Sequence, residues 1–174
     1  MSQTPLTDEE LMLRVQQGDA ESYNTLFERH HRSIYGYLLR QAREQTRAEE
    51  VFQETWLKVH RSRSTYRPGQ PFRPWLFRIA ANTHRDVLRR GLRQVPVTDT
   101  KHEPATSPEK PLLRMHLEDA IASLPDHLRE AFLLGPVQGF GHREVAEQLD
   151  ISPDNARARI SRARTALRNL LEEK

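Results

Sequence analysis

The sequence predicts an all-α fold of two small helical domains, residues 6–93 and 112–172, joined by an extended linker over 94–111. Three observations carry this expectation. Apolar residues recur at helical spacing along the chain, and no stretch keeps the period-two alternation of a strand. That spacing disappears between Gln94 and Lys110, where Pro96, Pro104 and Pro108 interrupt a polar run. The charge is also segregated. Residues 55–93 carry ten basic side chains against Asp86 alone (+9), and residues 156–174 carry six against two acids (+4). Residues 1–54 come to −4 (six basic, ten acidic) and 94–155 to −6 (five basic, eleven acidic). Two basic blocks divided by acidic stretches point to two polyanion-binding surfaces.

Each element follows from local signals. Thr7-Asp8-Glu9-Glu10 has the form of a capping box, opening a first helix that stops at Gly18. Asp19 caps a long second helix with the stripe Tyr23, Phe27, His31, Ile34, Leu38. Thr46-Arg47-Ala48-Glu49 reads as another capping box, before a third helix with Ala48, Val51, Phe52, Thr55 and Val59 on one face. Arg61–Phe72, with Pro68, Gly69 and Pro71, reads as a loop. Pro74 then sits in the first turn of a fourth helix, with Trp75, Leu76, Ile79, Ala80 and Val87 inward and Arg78, Asn82, Arg85 and Arg89 outward. Beyond the linker, Leu113, Leu117, Ala120, Ile121 and Leu124 mark a fifth helix ending at Pro125, and Leu128–Leu134 a sixth ending at Gly135-Pro136.

The end of the chain holds the most informative motif. His142–Leu149 gives a short helix, Asp150-Ile151 a tight turn, and Ser152-Pro153 an N-cap followed by proline at the first helical position. The last helix puts Ala156, Ile160, Ala163, Leu167 and Leu170 inward, with Arg157, Arg159, Arg162, Arg164 and Arg168 around the remainder. This is a helix-turn-helix pattern, whose second helix lies in the major groove with its N-terminal turns at the base edges. Asn155 suits adenine there and arginine suits guanine, while arginines further along suit phosphates.

Other classes are disfavoured. With no cysteine among 174 residues, disulfides, thiolate metal sites and thiol nucleophiles are absent. No apolar run approaches a membrane span, and Met1-Ser2-Gln3-Thr4-Pro5 lacks a signal-peptide pattern, so a cytoplasmic location is expected. No P-loop, zinc-protease or nucleophile-elbow motif occurs, so no catalytic residue and no cofactor are expected. His30 and His31, on adjacent helix positions, point different ways and read as surface rather than metal ligands.

Taken together, these motifs resemble the extracytoplasmic-function (ECF) group of the sigma-70 family, bacterial RNA polymerase sigma factors. Ala48-Glu49-Glu50-Val51-Phe52-Gln53-Glu54-Thr55-Trp56-Leu57 is similar to the family's region 2.2 signature. Trp75-Leu76-Phe77-Arg78-Ile79-Ala80-Ala81-Asn82, followed by Asp86 and Arg89-Arg90, is similar to regions 2.3 and 2.4. Leu124-Pro125, Arg129, Glu144-Val145-Ala146 and Arg162-Ala163-Arg164 resemble region 4. The resemblance implies that Glu50, Gln53, Glu54 and Leu57 dock on the clamp helices of core RNA polymerase, while region 4 meets its flap. It implies that the loop and fourth helix melt and read the minus-ten promoter element through Arg78, Asn82, Arg85, Asp86 and Arg89. Phe72 or Trp75 would offer a stacking platform for an extruded base, with inward packing as the other reading of Trp75. Ser152, Asp154, Asn155, Arg157, Arg159 and Arg162 would read the minus-thirty-five element. It further implies an anti-sigma partner, membrane-bound in many members. Asp154-Asn155-Ala156-Arg157 departs from the glycine-threonine-valine-lysine start common in the family, which makes the preferred promoter this chain's own. The alternative is a helix-turn-helix regulator that does not engage core polymerase, but the +9 block outside the terminal motif disfavours it.

Overall fold

The computed structural model describes residues 5–91 and 111–172, and every regular element among them is helical. Helix α1 (Asp8–Gln16) starts on its capping box. The Thr7 hydroxyl accepts from the Glu10 N–H at 3.2 Å, and the Glu10 carboxylate accepts from the Thr7 N–H at 2.8 Å. Gly18, at φ +93, turns the chain in a way only glycine tolerates easily. Asp19 then accepts the N–H groups of Glu21 and Ser22 to start α2 (Ala20–Ala42). The box expected at Thr46 does not form. α3 (Gln45–Arg61) already includes Thr46 in its first turn, and its extended N-cap residue, Glu44, makes no side-chain cap bond. The left-handed Arg43 (φ 61) makes the reversal earlier than the capping signal placed it.

α4 (Phe72–Gly91) opens two residues before Pro74, which still falls in the first turn, where no N–H is required. The second half comprises α5 (Pro111–Ser123), α6 (Asp126–Phe132), α7 (His142–Leu149) and α8 (Pro153–Glu172). Gly135-Pro136 does not break the chain as expected. The helix widens into a π turn over Leu133–Val137, with the Gln138 N–H bonded to the Leu133 carbonyl at 3.0 Å. Gly135 is required there for space, since a Cβ would lie 2.8 Å from Cδ1 of Ile160 on α8. Of the linker expected over 94–111, only Pro111 lies among the described residues, and it opens α5.

α1–α4 pack around Met12, Leu26, Ile34, Tyr37, Leu38, Val51, Val59, Phe72 and Leu76, all essentially buried. Edge-to-face contacts among Phe27, Phe52 and Trp56 join α2 to α3. His30 is buried rather than on the surface, with its Nε2 2.6 Å from Asp8 Oδ2, so it ties α2 to α1. α5–α8 close over Leu124, Leu133, Leu134, Val145, Ile160 and Ala163. No described helix is long and apolar enough to cross a membrane.

The two bundles are packed against each other, which the periodicity did not suggest. Phe77 of α4 meets Phe140, centroids 5.2 Å apart, and the Arg73 guanidinium lies over both rings at 5.0 and 4.4 Å. Arg40 of α2 forms a forked ion pair with Glu118 of α5, closest approach 2.9 Å. Arg43 donates to the Leu124 carbonyl at 2.7 Å. Arg129, only 2% exposed, donates to the carbonyls of Leu124 (2.8 Å) and Gln41 (3.2 Å), so it spans both bundles.

Candidate nucleic-acid interface

The loop between α3 and α4 has a defined shape. Arg67-Pro68-Gly69-Gln70 turns with Gly69 at φ +81 and the Gln70 N–H on the Arg67 carbonyl at 3.1 Å. Those are the marks of a type II turn, which wants proline at its second position and a left-handed residue at its third. Beneath it Tyr66 is buried and its hydroxyl donates to the Gln70 carbonyl. Between this loop and α4 lies an open cavity of about 760 Å³ whose walls include Ser62, Arg67, Gln70, Trp75, Arg78 and Asn82. Trp75 is half-buried with its ring edge-on to Tyr66 at 5.2 Å, so it is a wall of the cavity as well as part of the packing. Phe72 is wholly buried and offers no platform. The inward stripe of α4 is wider than the spacing suggested. Leu76, Ala80 and Val87 are buried as expected, Phe77, Ala81 and His84 are buried beside them, and Trp75 and Ile79 are half-buried and line the cavity.

Further along α4 the structure joins the expected residues to the second bundle. Arg78 is exposed and pairs with Asp150 at 3.0 Å. Arg85 donates to Asn82 Oδ1 (2.6 Å) and to the carbonyls of Gln148 (3.1 Å) and Leu149 (3.3 Å) at the end of α7. Asp86 accepts from Lys58 of α3 at 3.1 Å and from Arg89 at 3.0 Å. A carboxylate repels phosphate, and Asp86 here orders cations around itself. Arg89 remains largely exposed.

Burial gives two groups beside this seam unusual acidities. Burial first, then the Arg129 charge, hold the His84 imidazole down to about 4, which keeps it neutral. Burial likewise raises the Glu130 carboxyl, against the pull of Arg85.

The helix-turn-helix forms as its signals require. Asp150, at φ 54, ends α7, the Ile151 N–H bonds the Ala146 carbonyl at 3.0 Å, and Ser152 Oγ accepts the Asn155 N–H at 3.2 Å. Ala156, Ile160, Ala163 and Leu167 are buried. Asp154 and Asn155 are exposed at the start of α8, as are Arg157 and Arg162. Asn155 Oδ1 accepts from Arg159 Nε at 3.1 Å, which presents the pair as one unit. Asp154 lies 4.0 Å from Arg157, so its charge is partly offset.

On α3, Glu50, Gln53 and Leu57 stand exposed on one side, and Leu57, at 54%, is the most exposed large apolar side chain among the described residues. Glu54 differs from its neighbours, since it is half-buried and bonded to Arg90 of α4 at 2.6 Å. The periodicity gave no hint of Gln16 and Glu9 of α1, the first bonded to the loop and the second to the start of α4. Their partners lie some fifty residues away or more, beyond the reach of a local signal.

The Sigma-70 region 2 family model matches residues 26–94, and the Sigma-70, region 4 model matches residues 114–167. The chain is 41% identical over 169 residues to the RNA polymerase sigma factor CarQ of Myxococcus xanthus, covering 93% of this chain and 96% of that one. It is 33% identical to the ECF RNA polymerase sigma-E factor of Haemophilus influenzae, covering 96% of each. Among solved structures, an engineered region 2 of sigmaE in complex with GTAAAA superposes with a TM-score of 0.50 at 31% identity. It covers 56% of this chain and 100% of that one.

Proposed function

The chain belongs to the ECF group of the sigma-70 family of RNA polymerase sigma factors, and on that premise we propose how its surfaces divide promoter-specific initiation among them. The domains are assigned as region 2 over 6–93 and region 4 over 112–172, with 94–111 between them. Glu50, Gln53 and Leu57 dock on the polymerase clamp helices, the exposed leucine supplying apolar contact and the polar pair direction. Glu54 supports that face through Arg90. The flap is the partner of region 4.

The observation that carries the reading is the cavity between the Arg67–Gln70 turn and α4, placed inside the +9 block. It is large enough for one extruded base, with Trp75 as stacking wall and Asn82 as polar contact. The likeness to a region 2 bound to GTAAAA supports this assignment. Arg78, Arg85 and Arg89 then follow the backbone of the melted strand, with Asp86 holding Lys58 and Arg89 in place. The start of α8 reads the minus-thirty-five element: Asn155 and Arg159 meet base edges, Arg157 and Arg162 meet bases or phosphates, Ser152 caps the helix, and Asp154 shapes sequence preference by excluding acceptors. Sigma factors act by binding, and the reading assigns no catalytic residue. An anti-sigma factor is the third partner, as the family implies.

Because Arg78 and Arg85 are engaged by α7 and the residue that follows it, both promoter elements can be bound only when the bundles part. Run-off transcription with core polymerase on a genomic promoter pool tests the reading. The chain should generate discrete transcripts that vanish with Gln53→Ala/Leu57→Ala and with Arg157→Ala/Arg159→Ala. Sequence-selective DNA binding without any stimulation of core polymerase would instead favour the ordinary helix-turn-helix regulator.

A further inference from the structure

The loop that walls the cavity is held from behind by α1, an element without a part in the reading above. Gln16, the last residue of α1, donates its side-chain Nε2 to two loop carbonyls, those of Arg63 (2.8 Å) and Tyr66 (2.7 Å). Glu9 is seven residues earlier, two helical turns, and therefore on the same face. Its Oε1 accepts the N–H of Phe72, the first residue of α4, at 2.9 Å. α1 thus grips both ends of the 62–71 loop. The helix is itself fixed to α2, because Asp8 accepts from Arg29 at 2.9 Å and lies 2.6 Å from His30. Inside the grip, Tyr66 closes the loop through its bond to the Gln70 carbonyl and rests edge-on against Trp75. Its phenol is pushed up to about 12 by burial first and then by the carboxylates of Glu9 and Asp8, so it remains a donor at working pH.

We propose that Gln16 is a positioning residue for minus-ten recognition, fixing the 62–71 loop so that the cavity discriminates between extruded bases. The proposal rests on the reading of that cavity as a base pocket. The chemistry required is a donor to two carbonyl oxygens from one short side chain. Glutamine meets it, whereas isosteric glutamate presents only acceptors to those carbonyls and repels them. Lysine can reach the same place and donate to both. Arg63 and Tyr66 are held through backbone atoms, so the arrangement depends on Gln16 and not on the identity of the loop residues it grips.

The test uses the full-length chain with core polymerase, on the promoter found by run-off and on single-base variants of its minus-ten element. Strand opening is followed by permanganate reactivity. Gln16→Glu should slow opening on the preferred promoter on the order of tenfold and flatten the preference among variants, the effect expected for two lost hydrogen bonds of ordinary strength. Gln16→Lys should recover most of the preference, and affinity for core polymerase should stay as in the native chain for both. Asn82→Ala serves as the reference for the pocket itself. An Asn82→Ala chain with its minus-ten preference intact would mean that the pocket reading has failed. If Asn82→Ala flattens the preference and Gln16→Glu does not, the positioning role alone is overturned. It is also overturned if Gln16→Glu slows opening equally on every minus-ten sequence, or if Gln16→Lys is as impaired as Gln16→Glu.

Discussion

Arg129 shows how much one side chain carries in this protein. Its guanidinium is almost fully buried, bonded to Asp126 at 2.7 Å and to two carbonyls, one from each bundle. Removing it takes the side-chain donor from the buried Gln41 carbonyl and leaves the Leu124 carbonyl to Arg43 alone, and a buried acceptor left unmatched costs about 1–3 kcal/mol. Arg129→Leu should therefore destabilise the chain by about 3 kcal/mol, read as a lowered urea midpoint. Lysine should not rescue it, because one ammonium cannot reproduce the planar fork. His84 sets a pH dependence. Its pKa is about 4 in the folded chain against an ordinary value of 6.5, so the unfolded chain binds more protons between those limits. Its contribution is fully present above pH 6.5 and is lost as pH falls toward 4, at most about 3 kcal/mol. The charged groups acting on it are Arg129, Asp126, Arg47 and Arg85. Glu130, whose carboxyl is raised by burial, works in the opposite sense above pH 4.5. The comparison of native chain with His84→Gln isolates the histidine: urea midpoints from pH 7 to 4.5 should fall more steeply for the native chain.

Elements were legible where their signals are local. The caps at Thr7, Asp19 and Ser152 occur where the sequence places them, because an N-cap bond spans only two or three residues. Thr46 misled because the left-handed Arg43 had already reversed the chain, so a helical turn was in place before the box could cap it. Gly135-Pro136 misled because a π turn absorbs the proline and the glycine is there for packing against Ile160. Gly135→Val should therefore destabilise region 4 by about 1–3 kcal/mol through overpacking. The check is thermal unfolding of the variant, with Gly69→Ala as a contrast, since nothing crowds a Cβ at Gly69 and only its positive φ resists substitution. The cavity was half legible. Its proline-glycine turn and Asn82 could be read from spacing, whereas Trp75, at the edge of the buried face of α4, is both wall and packing, a position periodicity does not separate from core. Gln16 left no trace in periodicity.

At the scale of the whole molecule, the seam between the bundles was illegible in principle. It joins Arg40 to Glu118 and Arg85 to Gln148, pairs that no local spacing connects. The contacts are individually modest. The ion pairs at Glu118 and Asp150 are part-exposed, the kind worth about 0–1 kcal/mol each. The Phe77–Phe140 contact adds roughly 0.5–1.5 kcal/mol. Against closure, the side-chain amide of Gln148 and both ring nitrogens of His84 are buried without a hydrogen-bond partner among the described residues. On the proposed assignment DNA competes for the same arginines, so such a seam suits a closed state that a polyanion opens. Promoter binding should weaken steeply with salt, about one logarithmic unit of slope per phosphate neutralised. Glu118→Lys, which sets two cations against each other at the seam, should favour the open form.

Absence of cysteine makes the opening directly measurable, since Glu28→Cys on α2 and Asn169→Cys on α8 are exposed sites for a fluorophore pair. Energy transfer between them should be high for the chain alone and should collapse once core polymerase and a promoter carrying both elements are bound. Transfer that stays high in a complex actively making transcript would mean that the bundles never part, and the assignment of Arg78 and Arg85 to minus-ten DNA would be wrong.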